Sequence, residues 1–302
     1  MEILKFDEIE NWTEPTVLVL GYFDGLHLGH KTLFDEAKKI ASVLNLKVAV
    51  LTFPERPVLT FQRFESEMLL KLTSDKKRAE LFANYGVDFL IMKEFTSRFA
   101  KQTSDEFVEN YVLPLKPQVV VTGFDYTTGS DMKNLTSNEH FKAVTMPRYE
   151  LTGEKISSTR IRNAVHNGDM ALAQKLLGYP YETSGLVVHG FKRGREIGYP
   201  TANLVIKDFI HIPTAGVYTV DVLRDGKRLR GFASIGYNDT FENKEQTIEV
   251  NIFDFKEEIY GEQLTVLWLD KIREMIKFDG VDSLISQMKE DEIVARNFKE
   301  EK

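Results

Sequence analysis

The chain has 302 residues, about twice the usual length of one domain, so two domains are expected. Hydrophobic residues at 42% and charged residues at 28% exclude a disordered, collagen-like or coiled-coil chain. A net charge of −7 gives no global field for a phosphate backbone, which argues against a general nucleic-acid binder, and zero cysteines exclude disulfides, thiolate metal sites and cysteine nucleophiles.

The opening MEILKFDEIENW scatters acids where a signal peptide would carry basic and then apolar residues. No apolar run approaches the ~20 residues that cross a bilayer. These features predict a cytoplasmic protein with no membrane partner.

Period-two and period-3.6 patterns then alternate. They predict a strand at Thr16–Leu20, a helix from His30 to Leu44, a strand at Lys47–Phe53, a helix at Asp75–Asn84, a strand at Val87–Met92, a helix at Ser104–Leu113 and a strand at Gln118–Thr122. Strands separated by helices require right-handed crossovers, hence a parallel, doubly wound, Rossmann-like sheet. Leu33, Phe34, Ala37, Ile40, Ala41 and Leu44 mark the buried face of the first helix. Two short helices at Ser157–His166 and Asp169–Leu177 flank the turn dipeptide Asn167-Gly168. From Ser184 the pattern changes to strands without helices: Gly185–Val188, Gly216–Leu223, Leu229–Ile235, Gln246–Phe253 and Gln263–Leu269, which predict an antiparallel barrel or sandwich. A helix from Gly280 to Lys299, with Val281, Leu284, Ile285, Met288, Ile293 and Ala295 on its apolar side, is expected to cap it. The boundary falls in the polar stretch Tyr179–Ser184, giving domains 1–182 and 183–302.

The segment GYFDGLHLGH, residues 21–30, follows the first strand and opens the first helix, where backbone N–H groups and the positive helix end attract anions. His27 and His30 flank Gly29, so both imidazoles can face a phosphate chain approaching over the glycine. This H-x-G-H is a nucleotidyltransferase signature; two surface histidines in a glycine-rich turn are the bland alternative. In ISSTRIR, residues 156–162, Ser157, Ser158 and Thr159 can cap a helix while Arg160 and Arg162 offer guanidinium forks suited to a pyrophosphate leaving group. Together the two motifs specify nucleotidyl transfer, in which an anion attacks the α-phosphate of ATP. Such a nucleophile is already ionised, so positioning and charge stabilisation suffice.

A second constellation is GFKRGREIGYPTANL, residues 190–204. Its glycines admit phosphate closely, and Thr201 and Asn203 offer hard oxygen ligands suited to Mg²⁺. Glu249, between Ile248 and Val250 on a strand, points to the opposite face from both. A lone acid there is usually solvated. His140, His166, His189 and His211 are dispersed and form no metal-ligand spacing.

GYFDGLHLGH, TGFDY, ISSTRIR, GREIGYPTANL, GVYTV at 216–220, IEVNIFDF and EEIYGEQLTV, in this order, resemble the bacterial bifunctional riboflavin kinase/FAD synthetase family along nearly the whole chain. The resemblance implies an amino-terminal FMN adenylyltransferase domain and a carboxyl-terminal riboflavin kinase barrel, with ATP as co-substrate, Mg²⁺ as cofactor, and riboflavin, FMN and FAD as substrates or products. It implies that His27, His30, Ser158 and Arg160 contact the ATP phosphates, with Gly21, Phe23, Asp24, Gly29, Ser157, Thr159 and Arg162 beside them. Asp125 and Tyr126 fall at the flavin site. Gly190, Gly194, Arg195 and Pro200 join Thr201 and Asn203 at the kinase nucleotide and metal site, and Glu249 becomes the base for the ribityl hydroxyl.

The chain also departs from the family. After Gly123-Phe124-Asp125 it reads YTTGSDMKNL, with Thr127 in place of an arginine and Thr128 in place of an aromatic; Tyr22, Asn251 and Asp239 stand where Asn, His and Pro are common. A monofunctional member and a flavin-binding regulator without turnover are the competing readings. Joint retention of His27, His30, Arg160, Thr201, Asn203 and Glu249 argues against the regulator.

Overall fold

The structure, a computed structural model, describes residues 1–190, 194, 197–239 and 244–299, without the side chains of 238, 239, 244 and 245. It divides into two compact units, Met1–Ser158 and Thr159–Lys302.

The first unit is built on a six-stranded sheet in the order β1-β4-β3-β2-β5-β6, with β1 Glu2–Lys5, β2 Thr16–Leu20, β3 Lys47–Thr52, β4 Phe89–Met92, β5 Pro117–Gly123 and β6 Lys142–Met146. All its pairings are parallel. Central β2 is buried along its whole length, as a strand covered on both faces requires. Helix α1, Leu28–Leu44, buries Leu33, Phe34, Ala37 and Ala41, while Leu44, expected on that face, is exposed in the last turn, just before the left-handed cap at Asn45. Short helices α2 (Val58–Phe61), α4 (Ser97–Ala100) and α5 (Ser104–Phe107) and the longer α3 (Asp75–Asn84) complete the crossovers. Strands β7 (Glu150–Leu151) and β8 (Glu154–Lys155) form a small hairpin.

Two of the unpredicted strands, β1 and β6, are the sheet edges, whose polar residues give no apolar run. The helix expected at Ser104–Leu113 is corrected: α-helix stops at Phe107 and continues as a π turn, Val108–Val112, and a 3₁₀ turn, Leu113–Leu115. Pro114 has no N–H to donate and so cannot extend an α-helical hydrogen-bond ladder, and it sits in the first turn of the 3₁₀ segment, with Leu113 itself helical.

In the second unit α6 (Ser158–Asn167) enters from the first, and Asp169 caps α7 (Met170–Leu177) by accepting from Leu172 N–H at 2.9 Å. Helix α7 packs on strands of a closed barrel ordered β10-β13-β12-β11-β14-β9. These strands are β9 Tyr181–Val188, β10 Ala202–Ile206, β11 Gly216–Arg224, β12 Lys227–Asp239, β13 Lys244–Ile252 and β14 Gln263–Arg273, all antiparallel. Packing therefore groups α6 and α7 with the barrel, upstream of the boundary expected at 182/183. Alternate residues of β9 point inward, and the buried indole N–H of Trp268 donates to Thr183 Oγ1 at 3.0 Å.

Helix α8, Val281–Asn297, packs on β11, β12 and β14. Its inner face carries the expected Leu284, Ile285, Met288 and Ala295, but Val281 and Ile293 are exposed, whereas Asp291 is 1% exposed. Arg273 explains this register. Its Nε and Nη2 donate to the two Asp291 oxygens at 2.8 and 2.7 Å, so the carboxylate is the side chain that must face the barrel. Removing one partner of such a buried pair strands a charge, at a cost of ~3–5 kcal/mol. Arg273→Ala is expected to lower the melting temperature of the barrel unit sharply, read by calorimetry; a shift as small as that of an exposed surface substitution would contradict this role.

Candidate active sites

The first site lies where β2 ends. Strand β3 lies on one side of β2 and β5 on the other, so the chain reverses its winding direction there, and ligands of doubly wound sheets bind outside the strand ends at such a point. The turn into α1 is tight: Phe23, Gly25 and Leu26 have φ of +61°, +79° and +36°. Two non-glycine residues in this region store strain that surrounding contacts must hold.

Those contacts come from three directions. Asp24 Oδ1 accepts from Leu72 N–H at 2.8 Å, and Asp24 carbonyl oxygen accepts from Ser158 Oγ at 2.9 Å. Arg78 on α3, 3% exposed, donates to Phe53 carbonyl oxygen at 2.8 Å, to Thr52 Oγ1 at 2.6 Å and to the Tyr22 carbonyl oxygen. Its guanidinium also lies 5.0 Å from the Tyr22 ring centroid. The aromatic at 22, where Asn is common, is thus the platform for a buried arginine. Sequence reasoning missed Arg78, because a lone arginine in a lysine-rich helix carries no pattern.

His27 caps α1. Its Nδ1 accepts from His30 N–H at 3.2 Å, so in the neutral ring the proton is assigned to Nε2. The two imidazoles stack, with centroids 3.7 Å apart and planes 12° from parallel, and Phe23 meets His30 edge-on at 5.1 Å. Gly29 gives this stack room, since a β-carbon there would lie 3.2 Å from the His27 ring and press on it. Gly21 similarly leaves room for the Phe23 ring. Burial lowers His27 to about 4, and burial, then the neighbouring His27, holds His30 well below the usual histidine range. Buried His30 Nδ1 has no hydrogen-bond partner among the described residues.

The sheet edge also receives Asp125, which follows β5 and accepts from Lys155 Nζ; this ammonium lies 4.7 Å from the Phe124 ring centroid. Lys155 is a further charged residue that sequence reasoning missed. Tyr126, expected beside a flavin, is partly buried and packs against the sheet's hydrophobic core. Ser157 and Ser158 close the first unit, while Thr159, Arg160 and Arg162 belong to the second, with Thr159 exposed and both arginines half-buried.

The second site is on the barrel. Register pairs Asn203 of β10 with Glu249 of β13, so these side chains share a face, opposite to buried Ile248 and Val250. Thr201 Oγ1 donates to Glu249 Oε2 at 3.0 Å. The Asn203 amide occupies the space above Gly190, where a β-carbon would meet it at 2.3 Å, and Gly194 carbonyl oxygen accepts from Tyr199 N–H at 2.8 Å. Asn251 is 6% exposed, and its Nδ2 donates to the Pro200 carbonyl oxygen at 2.8 Å, fixing the chain just before Thr201. Arg195 and the Asp239 side chain lie outside the described residues.

Thr201 lines two cavities. One, of about 200 Å³, includes Glu249, Phe232, Met275, Phe278, Leu284 and Met288; the other, of about 290 Å³, includes Pro200, Lys256, Phe255, Ile259 and Tyr260. Among the described residues no cluster of three or more His, Cys, Asp or Glu could hold a metal ion by itself. No helix among them is long and apolar enough to cross a membrane.

A strand-to-helix turn at the switch point of a parallel sheet, followed by a barrel whose Thr201–Glu249 pair lines a cavity, fits a two-unit nucleotide-using transferase. Family models for FAD synthetase and riboflavin kinase match residues 9–160 and 177–299. The chain is 40% identical to a Listeria monocytogenes bifunctional riboflavin kinase/FMN adenylyltransferase, covering 96% of this chain and 94% of that protein. It is 38% identical to the Bacillus subtilis protein of the same description, over 91% and 90%. A solved Streptococcus pneumoniae structure described as a macrolide-efflux protein is 42% identical, with a TM-score of 0.94 over 99% of this chain and 100% of that one. The chain belongs to the bifunctional riboflavin kinase/FAD synthetase family.

The depressed histidine values predict neutral imidazoles through the physiological range. A folded value below the unfolded one contributes stability that is complete above about pH 6.5 and is lost as pH falls toward 4, at up to ~1.4 kcal/mol per pH unit and histidine. In histidine nitrogen NMR spectra His27 is expected to protonate only near pH 4 and His30 below its usual range; titration of both near pH 6.5 would contradict the burial argument.

Proposed function

We infer that the protein phosphorylates riboflavin to FMN with ATP and adenylylates FMN to FAD with release of pyrophosphate. The observation that carries the kinase reading is Thr201, which lines both cavities and donates to Glu249. Glu249 accepts the proton of the ribityl hydroxyl, because an alcohol is a poor nucleophile until that proton leaves. The cavity holding Glu249 has the aromatic and methionine lining that suits an isoalloxazine ring, and the Lys256 cavity suits ATP.

Oxygens of Thr201 and Asn203 beside a carboxylate form a hard donor set that fits Mg²⁺, and these two residues would hold it. A bound ion would supply positive charge to offset that of the ATP phosphates. Gly190, Gly194, Arg195 and Pro200 are proposed to frame the same phosphates.

At the sheet site the nucleophile is the FMN phosphate, already anionic, so no base is needed. His27, with its proton on Nε2, and His30, with its Nδ1 unpartnered among the described residues, are proposed to hydrogen-bond the ATP phosphates above Gly21, Phe23, Asp24 and Gly29. Ser157, Ser158, Thr159, Arg160 and Arg162 are proposed to serve the departing pyrophosphate, and Asp125 the flavin side. Tyr126 is proposed to join Asp125 at the flavin, with its other side packed on the sheet's core. On this reading the adenylyltransferase half is residues 1–182 and the kinase half 183–302, because the motif of α6 serves the first reaction although α6 packs with the barrel. We place the enzyme in the cytoplasm, with small-molecule substrates and no nucleic-acid or membrane partner, in line with its charge and lack of cysteine.

Removing one phosphate contact costs ~100-fold or more in rate. His30→Ala is expected to lower FAD formation by that order while leaving riboflavin phosphorylation intact; equal loss of both would contradict two separate sites. Glu249→Gln keeps the size and removes the proton acceptor. It is expected to lower kinase turnover ~100- to 10,000-fold with riboflavin binding nearly unchanged by calorimetry; near-normal turnover would reduce Glu249 to a strand residue.

A further inference from the structure

The segment after Asp125 is where this chain leaves the family pattern, and it is held by its own set of contacts. Thr128 and Lys133 exchange backbone hydrogen bonds at 2.9 and 3.1 Å, closing a tight loop over Gly129–Met132. That loop is fastened to the start of α5. Asp131 Oδ1 accepts from Ser104 N–H at 2.8 Å, and Ser104 Oγ lies 2.7 Å from the same oxygen and 2.6 Å from the Thr128 carbonyl oxygen, its one proton shared between them. Ser130 N–H adds a bond to Gln102 carbonyl oxygen at 2.7 Å. Gly129, at φ +69°, presses so closely that a β-carbon would lie 2.2 Å from Ser104 nitrogen.

The latch has a consequence for what the loop presents. Thr128, in the position of the missing aromatic, is turned inward and buried. Met132 is turned outward: it sits at φ +51°, is 68% exposed, and has its sulfur 3.6 Å from Thr127 Oγ1. A long apolar side chain held in a left-handed conformation and exposed to water costs free energy without a ligand, and a polarizable thioether packs well on an aromatic ring. The loop follows β5, whose end neighbours that of β2 at the phosphate site.

We propose that Met132 is the flavin-contacting residue of the adenylyltransferase site in place of the family's aromatic, and that Asp131 is the positioning residue that presents it by latching the loop to Ser104. This rests on the reading of the sheet site as an FMN site. Asp131 carries no reacting atom, so its effect reaches the reaction only through FMN capture.

The test uses the full chain and varies FMN and ATP separately in the adenylylation assay, with FMN binding followed by fluorescence quenching. A methionine–ring contact accounts for ~2- to 10-fold in affinity. Met132→Ala is expected to raise KM and Kd for FMN by about 5-fold, with kcat and KM for ATP within about 2-fold, and Met132→Leu to recover most of the loss. Asp131→Ala is expected to raise KM for FMN at least as much and to speed hydrogen exchange at residues 127–133, which Met132→Ala leaves slow. Asp131→Asn, which keeps an acceptor for Ser104, is expected to fall between and serves if the alanine variant does not fold. Unchanged FMN affinity in Met132→Ala, or faster exchange in Asp131→Ala without weaker FMN capture, would overturn the proposal. If the unmodified protein binds FMN but makes no FAD, the functional reading fails, while binding and exchange still decide the role of the loop.

Discussion

The turn between β2 and α1 is the constraint on which the amino-terminal unit depends. Phe23 and Leu26 are held at positive φ, a conformation that costs ~1–3 kcal/mol per residue and persists only where the surroundings fix it. Asp24 is bound on both its side chain and its carbonyl group, and Arg78 gathers the carbonyl groups of Tyr22 and Phe53. The result is a helix start that stacks buried His27 on half-buried His30 and leaves the buried His30 Nδ1 without a partner among the described residues. Burial holds both rings below the usual histidine range and so favours their neutral forms.

The two units treat phosphate differently because their nucleophiles differ. In the sheet unit the nucleophile is an ionised phosphate, which needs no proton removed before it attacks. In the barrel an alcohol attacks, and a carboxylate stands 3.0 Å from the Thr201 hydroxyl on the shared face of β10 and β13. Asn251 shows how the barrel accommodates a departure: its amide supplies the donor that holds the Pro200 carbonyl group, which keeps Thr201 beside Glu249.

Much of this architecture was legible from residue patterns. The strand at Thr16–Leu20 and the helix at Asp75–Asn84 coincide with the observed elements, because an apolar strand and a Ser74-capped helix carry their own boundaries. Edge strands β1 and β6 and strand β10 were hidden, the first two by polar residues and the last inside a segment read as a phosphate loop. The face of α8 was partly misjudged because apolar count favours Ile293 over Asp291, and only the tertiary partner Arg273 reverses that order. The histidines and Glu249 were visible as motif residues, whereas Arg78, Lys155 and the latch at Ser104 arise from contacts between segments distant in sequence.

The central claim is that one chain carries two separate transfers, the first using the γ-phosphate of ATP and the second its α-phosphate. Riboflavin incubated with Mg-ATP carrying distinguishable phosphorus labels at the α and γ positions tests it in one measurement. The account predicts FAD whose flavin-linked phosphorus comes from the γ position and whose adenosine-linked phosphorus comes from the α position. Riboflavin recovered bound but unchanged, or FMN that never gains the α label even in excess ATP, would contradict it.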